Sequence, residues 1–169
     1  VGAAVMGASF REKVRIATVG DSWAFRCPTG RFGRTELQMP ILSCGGCQMQ
    51  QAWGGAISSM DAIDPAQHAN CVAVIRRALA LGITHFETAR GYGSSELQFA
   101  AALGSLIESG EIRRSEIIVQ TKVAAEADPQ TFKAALAASL QTLLPALGYV
   151  DLFAFHGINS EKKLKQVLE

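Results

Sequence analysis

Apolar and polar residues recur in two different rhythms along this chain, and the switches between them predict its elements. Val72, Ile75 and Leu79 share one helical face with Arg76 and Arg77 turned outward, which predicts a helix from Pro65 to Leu81, closed by Gly82. An unbroken run over 83–87 predicts a buried strand that stops at the Glu87 carboxylate. Phe99, Leu103, Leu106 and Ile107 repeat at helical spacing and predict a helix over about 95–109, with Ser95 and Gln98 spaced as a capping box. A third strand is predicted over 117–121, with Lys122 at its end. Asp128-Pro129 reads as a helix start, a cap followed by proline at the first helical position. Phe132, Leu136, Leu140, Leu143 and Leu147 stripe that helix, and Gly148 ends it. A fourth strand is expected over 150–155, with His156 at its end and Ser160 capping a helix that runs to Glu169.

Upstream, 31–40 reads as a short hairpin, and Ile41-Leu42-Ser43-Cys44 as the first inner strand, ended by Gly45-Gly46. Residues 48–64 form a long connection at the same end of the sheet as the other strand-to-helix loops, and Trp53 within it is a candidate wall of a substrate pocket, with a plain buried or partly buried surface tryptophan at least an equal reading.

Strand and helix therefore alternate four times with short loops, which implies right-handed crossovers and a parallel sheet. The expected fold is α/β, a partial (β/α)8 TIM barrel: four β/α units, preceded by the hairpin, spanning 30–169. A closed barrel takes about 250 residues. This chain has 169. It is expected to be a fragment, or a product that needs a partner, because strands one and four would otherwise be open apolar edges. Residues 1–29 lack a clear period and read as an irregular tail. Arg11, Lys13, Arg15 and Arg26 there raise organelle targeting, which Glu12 and Asp21 argue against.

Composition narrows the class. The hydrophobic fraction of 49% fits a globular protein with buried strands, and a net charge of +1 gives no field that would draw it to nucleic acid or acidic membranes. No apolar run approaches the ~20 residues of a membrane span. The four cysteines, Cys27, Cys44, Cys47 and Cys71, are too scattered for a disulfide scaffold, which points to a cytoplasmic, reducing setting. Cys44 and Cys47 make a Cys-x-x-Cys. The second half of a zinc site is absent, so no metal is expected and the pair reads as two ordinary thiols. His85 and His68 read as structural or exposed, and Asp151, at the start of strand four, as a stability residue.

The chemistry gathers at the strand ends. Glu87, Tyr92, Lys122 and His156 come from the ends of three successive strands, and neighbouring strands lie about 4.8 Å apart, so these groups can converge. Carbonyl reduction by hydride needs a proton donor to the developing alkoxide. A free phenol has a pKa near 10, and an adjacent ammonium lowers it. Lys122 is the candidate ammonium, Glu87 the carboxylate that holds it, and His156 the group that polarises and orients the carbonyl.

The run from Thr84 to Glu96, with its acid, Thr-Ala, Tyr-Gly and Ser-Glu, resembles the aldo-keto reductase signature. Residues 117–123 and 150–157 match further motifs of that family in the right order, and the resemblance covers roughly Gly30 to Glu169. One departure is Glu87, where the family usually has Asp. The resemblance implies a barrel plugged by the hairpin, Tyr92 as the acid, Lys122 and Glu87 tuning it, and His156 beside the carbonyl. It implies NADPH as hydride source and an aldehyde or ketone as substrate, with Gly45, Gly46 and Asn159 near the cofactor. For Gly45 and Gly46 a plain tight turn is an equal reading. In the family most cofactor contacts come from later strands, so this segment is expected to need a missing C-terminal half-barrel or another chain. Two other classes stay open: a Schiff-base lyase using Lys122, and an inactive truncated barrel acting as an interaction partner.

Overall fold

A computed structural model describes residues 26–51, 57–125 and 128–168. Trp53, and residues 1–25 of the predicted tail, lie outside them. Two strands, β1 (Thr29–Arg31) and β2 (Gln38–Pro40), form an antiparallel hairpin in which Gly30 opposes Met39. Four more strands follow: β3 (Cys44–Gly45), β4 (His85–Glu87), β5 (Ile118–Ala124) and β6 (Leu152–His156). They form one parallel sheet in the order β3-β4-β5-β6, with Cys44 beside Phe86, Phe86 beside Val119, and Lys122 beside Ala154. The connecting helices are α1 (Pro65–Ala80), α2 (Ser95–Glu108) and α3 (Pro129–Leu147), and α4 (Glu161–Leu168) follows β6. The sheet is not closed into a barrel among the described residues.

One face of the sheet packs on the helices. Phe86 and Val119 are fully buried there against Ile75 of α1, Phe99, Leu103 and Leu106 of α2, and Leu143 of α3. Phe86 meets Phe99 edge to face at 6.0 Å between ring centroids. This is the face that the helical spacing of 72–79, 99–107 and 132–147 predicts. Arg76, exposed at the edge of that face of α1, pairs with Glu111.

Three caps match the sequence. Asp128 accepts from the backbone N–H groups of Gln130 and Thr131 with Pro129 behind it, and Gly148 closes α3 at φ 76°, a conformation that glycine takes without strain. Ser160 accepts from the Lys163 N–H and starts α4. The capping box at Ser95 and Gln98 is a miss. Ser95 is the first helical residue and not the cap, and its hydroxyl donates to the Gly46 carbonyl at 2.7 Å and meets Thr88 Oγ1 at 2.8 Å. The predicted first strand over 41–44 shrinks to Cys44–Gly45, because pairing with β4 begins only at Cys44. Ile41 and Leu42 precede it at 46% and 49% exposure. β5 runs three residues beyond its predicted end, so Lys122 sits inside the strand, and His156 is the last residue of β6 and not the residue after it.

Asp151 lies at the N-terminal end of the sheet, away from the strand ends that carry the candidate chemistry. Its Oδ2 accepts from the Val119 N–H at 2.8 Å and pairs with the Arg114 guanidinium at 2.7 Å, both side chains being nearly buried. His85 is buried and its Nδ1 lies 2.7 Å from Ser43 Oγ, while His68 is half-buried on α1. No helix among the described residues is long and apolar enough to cross a membrane.

Candidate active site

Strand register decides which side chains meet. Glu87 pairs with Gln120, Lys122 with Ala154, and Ala124 with His156. Side chains alternate along a strand, so Glu87, Lys122 and His156 share the sheet face opposite the helices. Tyr92 reaches the same region from the loop after β4. That loop keeps pairing with β5 beyond the strand, through Thr88 N–H to the Gln120 carbonyl and Arg90 N–H to the Lys122 carbonyl, at 2.8 and 2.9 Å. It then turns tightly, with Tyr92 N–H donating to the Ala89 carbonyl and Gly93 at φ 55°.

The Lys122 ammonium contacts the Glu87 carboxylate, and its Nζ donates to the Thr88 carbonyl at 3.1 Å. The same Nζ lies 4.7 Å from the centroid of the Tyr92 ring. The Tyr92 and His156 rings meet edge to face at 5.2 Å, and a side chain at Gly91 would stand 3.5 Å from His156 Nδ1. The four residues named from the sequence are thus one cluster. Burial pulls the Lys122 pKa below its ordinary value, with the Cys47 thiol pulling the other way. His156 is also lowered, first by burial and then by the positive charges of Lys122 and Lys163, which favours the neutral imidazole.

The remaining candidates lie as follows. Gly45 is exposed at the end of β3, and among the described residues a side chain there would meet only Glu87 Oε2, at 3.9 Å. Gly46 is buried, and a Cβ there would come within 2.6 Å of both Phe99 Cε2 and Ser95 Oγ. Its missing side chain therefore has a packing reason: α2 starts against it. Asn159 is exposed, three residues past His156. Cys44 and Cys47 are free thiols, and burial raises the pKa of Cys44. Among the described residues no group of three or more His, Cys, Asp or Glu side chains could hold a metal ion.

Sequence reasoning missed the residues beneath the cluster. Thr121 and Glu96 are both buried, and the Thr121 hydroxyl donates to Glu96 Oε1 at 2.7 Å. A carboxylate in the first turn of a helix reads as dipole complement, and only its burial marks it as more.

A model of the aldo/keto reductase family matches residues 42–169. L-glyceraldehyde 3-phosphate reductase of Escherichia coli K12 is 28% identical over 142 residues, which is 79% of this chain and 38% of that enzyme. This chain therefore spans well under half the length of that curated relative. Among solved structures, a Bombyx mori aldo-keto reductase in complex with NADP is similar at a TM-score of 0.55 and 23% identity, over 78% of this chain and 38% of the other. A candidate aldo-keto reductase of Pseudomonas aeruginosa matches at a TM-score of 0.57 and 21% identity, over 81% and 49%. At these identities the two structures speak for the fold alone.

Proposed function

This chain belongs to the aldo/keto reductase family, and on that premise we propose that it carries the proton-donating site of an NADPH-dependent reductase of aldehydes or ketones. The observation that carries the reading is the convergence of one phenol, one ammonium, one carboxylate and one imidazole at the ends of β4, β5 and β6. Tyr92 donates the proton to the carbonyl oxygen as it becomes an alkoxide. Lys122 stands by the ring with a charge that stabilises the phenolate left behind. Glu87 holds Lys122 in place. His156, neutral and against the Tyr92 ring, donates a hydrogen bond that orients the carbonyl.

When bound, NADPH supplies the hydride. The open face of Gly45 fits a flat group approaching the cluster, whereas Gly46 offers only its backbone, since α2 fills the space where a side chain would be. Asn159 is assigned to the same side of the site. The four β/α units act as part of a (β/α)8 barrel, with the free edges of β3 and β6 covered by further chain or by another chain. A small carbonyl compound in a cytoplasmic setting is the substrate class.

Lys122 as an imine-forming nucleophile is the weaker reading, because it gives no part to the Tyr92 phenol and the His156 imidazole that stand beside the ammonium, whereas the reductase reading uses all of them. The experiment is NADPH oxidation by the full-length protein with a panel of aldehydes and ketones, L-glyceraldehyde 3-phosphate included, beside borohydride trapping of the same compounds. Turnover without trapping supports the reductase. Trapping on Lys122 without NADPH oxidation contradicts it.

A further inference from the structure

Glu96 is a carboxylate with only 3% of its side chain exposed, in the first turn of α2. Burying a carboxylate is costly unless it is paired and hydrogen-bonded. Glu96 has both kinds of partner. Its Oε1 accepts from Thr121 Oγ1 at 2.7 Å, and its Oε2 pairs with Arg90 Nη1 at 3.3 Å. Each partner is tied to the reactive cluster. Thr121 is the residue before Lys122 on β5. Arg90 is two residues before Tyr92, and its backbone N–H donates to the Lys122 carbonyl at 2.9 Å.

These contacts close a ring. It runs from Glu96 through Thr121 to Lys122, across the backbone hydrogen bond to Arg90, and through the guanidinium back to Glu96. The loop that carries the phenol is thereby fastened to the strand that carries the ammonium. The neighbouring Ser95 fastens the other two strand ends. Its hydroxyl donates to the Gly46 carbonyl and meets Thr88, whose own carbonyl accepts from Lys122 Nζ. A simple packing position would be filled as well by Gln or Met, with no charge to compensate.

We propose that Glu96 is a positioning residue: acting through Arg90 and Thr121, it fixes the Tyr92 phenol against the Lys122 ammonium without touching substrate or cofactor. Its effect on rate rests on the reductase reading. Its effect on Lys122 does not, and the test reads both.

Glu96→Gln and Thr121→Val are made in the full-length protein, with Thr121→Ser as the variant that keeps the hydroxyl. The first readout is steady-state NADPH-dependent carbonyl reduction. The second is acetylation of Lys122 Nζ by acetic anhydride, followed by peptide mass spectrometry and normalised to the exposed Lys133. In Glu96→Gln and Thr121→Val, kcat falls about tenfold to a hundredfold with KM within about twofold, as expected for a misplaced reacting group. Lys122 acetylation rises severalfold relative to Lys133 in the same two variants, and Thr121→Ser returns both readouts towards the wild-type values. An unchanged or lower acetylation ratio in both variants overturns the proposal, and so does an unchanged kcat in an active protein. If the wild-type protein turns over no carbonyl compound, the reductase reading fails while the acetylation ratio still decides the role of Glu96. Should the buried variants not fold, Arg90→Met, on a half-exposed side chain, carries the same expected rise in acetylation, and its absence overturns the proposal.

Discussion

Lys122 reaches Glu87 from the neighbouring strand. Glu87 pairs with Gln120, and Lys122 lies two residues further along β5 on the same face, with its ammonium in contact with the carboxylate. Neither side chain is fully buried, so the pair is a tuned contact at the mouth of the sheet and not a core ion pair. Replacing Glu87 tests its charge and its reach separately. Glu87→Asp keeps the charge and shortens the arm by about 1.5 Å. Glu87→Gln keeps the length and removes the charge. Kinetics of the full-length protein are expected to rank wild type above Glu87→Asp above Glu87→Gln, with the last losing at least about tenfold in kcat. Equal activity of Glu87→Gln and wild type would remove Glu87 from the site.

His156 gives the molecule a pH dependence of known sign. Its pKa is lowered in the folded state, first by burial. As pH falls through about 6.5, the unfolded chain takes up the proton first, so stability falls below that pH until the folded imidazole also protonates. His85 is shifted the same way by burial and adds to the slope. Urea unfolding of His156→Gln between pH 7.5 and 5 should show a shallower loss than the wild type, a range that brackets the ordinary histidine pKa of about 6.5. An equal slope in both proteins would contradict the assigned burial.

Asp151 should matter to stability and not to chemistry. It sits at the end of the sheet away from the cluster and holds Arg114 and the Val119 N–H. Asp151→Ala leaves a nearly buried guanidinium without its carboxylate, at a cost of about 3 kcal/mol. Thermal unfolding should fall accordingly, while kcat at a temperature where the variant is folded stays unchanged.

Gly46 is fixed by steric fit. A methyl group there would come within 2.6 Å of Phe99 and Ser95. Gly46→Ala is expected to cost about 1–3 kcal/mol, read by denaturant unfolding, while Gly45→Ala, facing open space except for Glu87, costs far less.

The helices were legible because their stripes are regular and their caps use residues with one evident job: Asp128 with Pro129, Gly148, Ser160. The parallel order followed from alternation alone. Strand ends were less legible, because a strand lasts as long as its neighbour pairs with it, and nothing local to Ile41, Leu42 or Lys122 records where that neighbour starts or stops. The misread Ser95 has the same origin. A serine three residues before a glutamine fits a cap, yet its hydroxyl is claimed by Gly46, a residue 49 positions away. Glu87, Lys122 and His156 stood out because each ends or follows an apolar run, and Tyr92 because it stands between two glycines in the loop after Glu87. Glu96 and Thr121 did not, since their burial comes from packing between α2 and β5.

The central claim, that Tyr92 is the proton donor, is tested most directly by single-turnover reduction in the full-length Tyr92→Phe protein at saturating NADPH. Phenylalanine keeps the ring against His156 and Lys122 and removes only the hydroxyl. The predicted result is a loss of about 10²–10⁴-fold in the reduction rate, with the NADPH dissociation constant unchanged. A rate within about twofold of wild type would mean that another group delivers the proton, and that the cluster at the ends of β4, β5 and β6 is not the catalytic site.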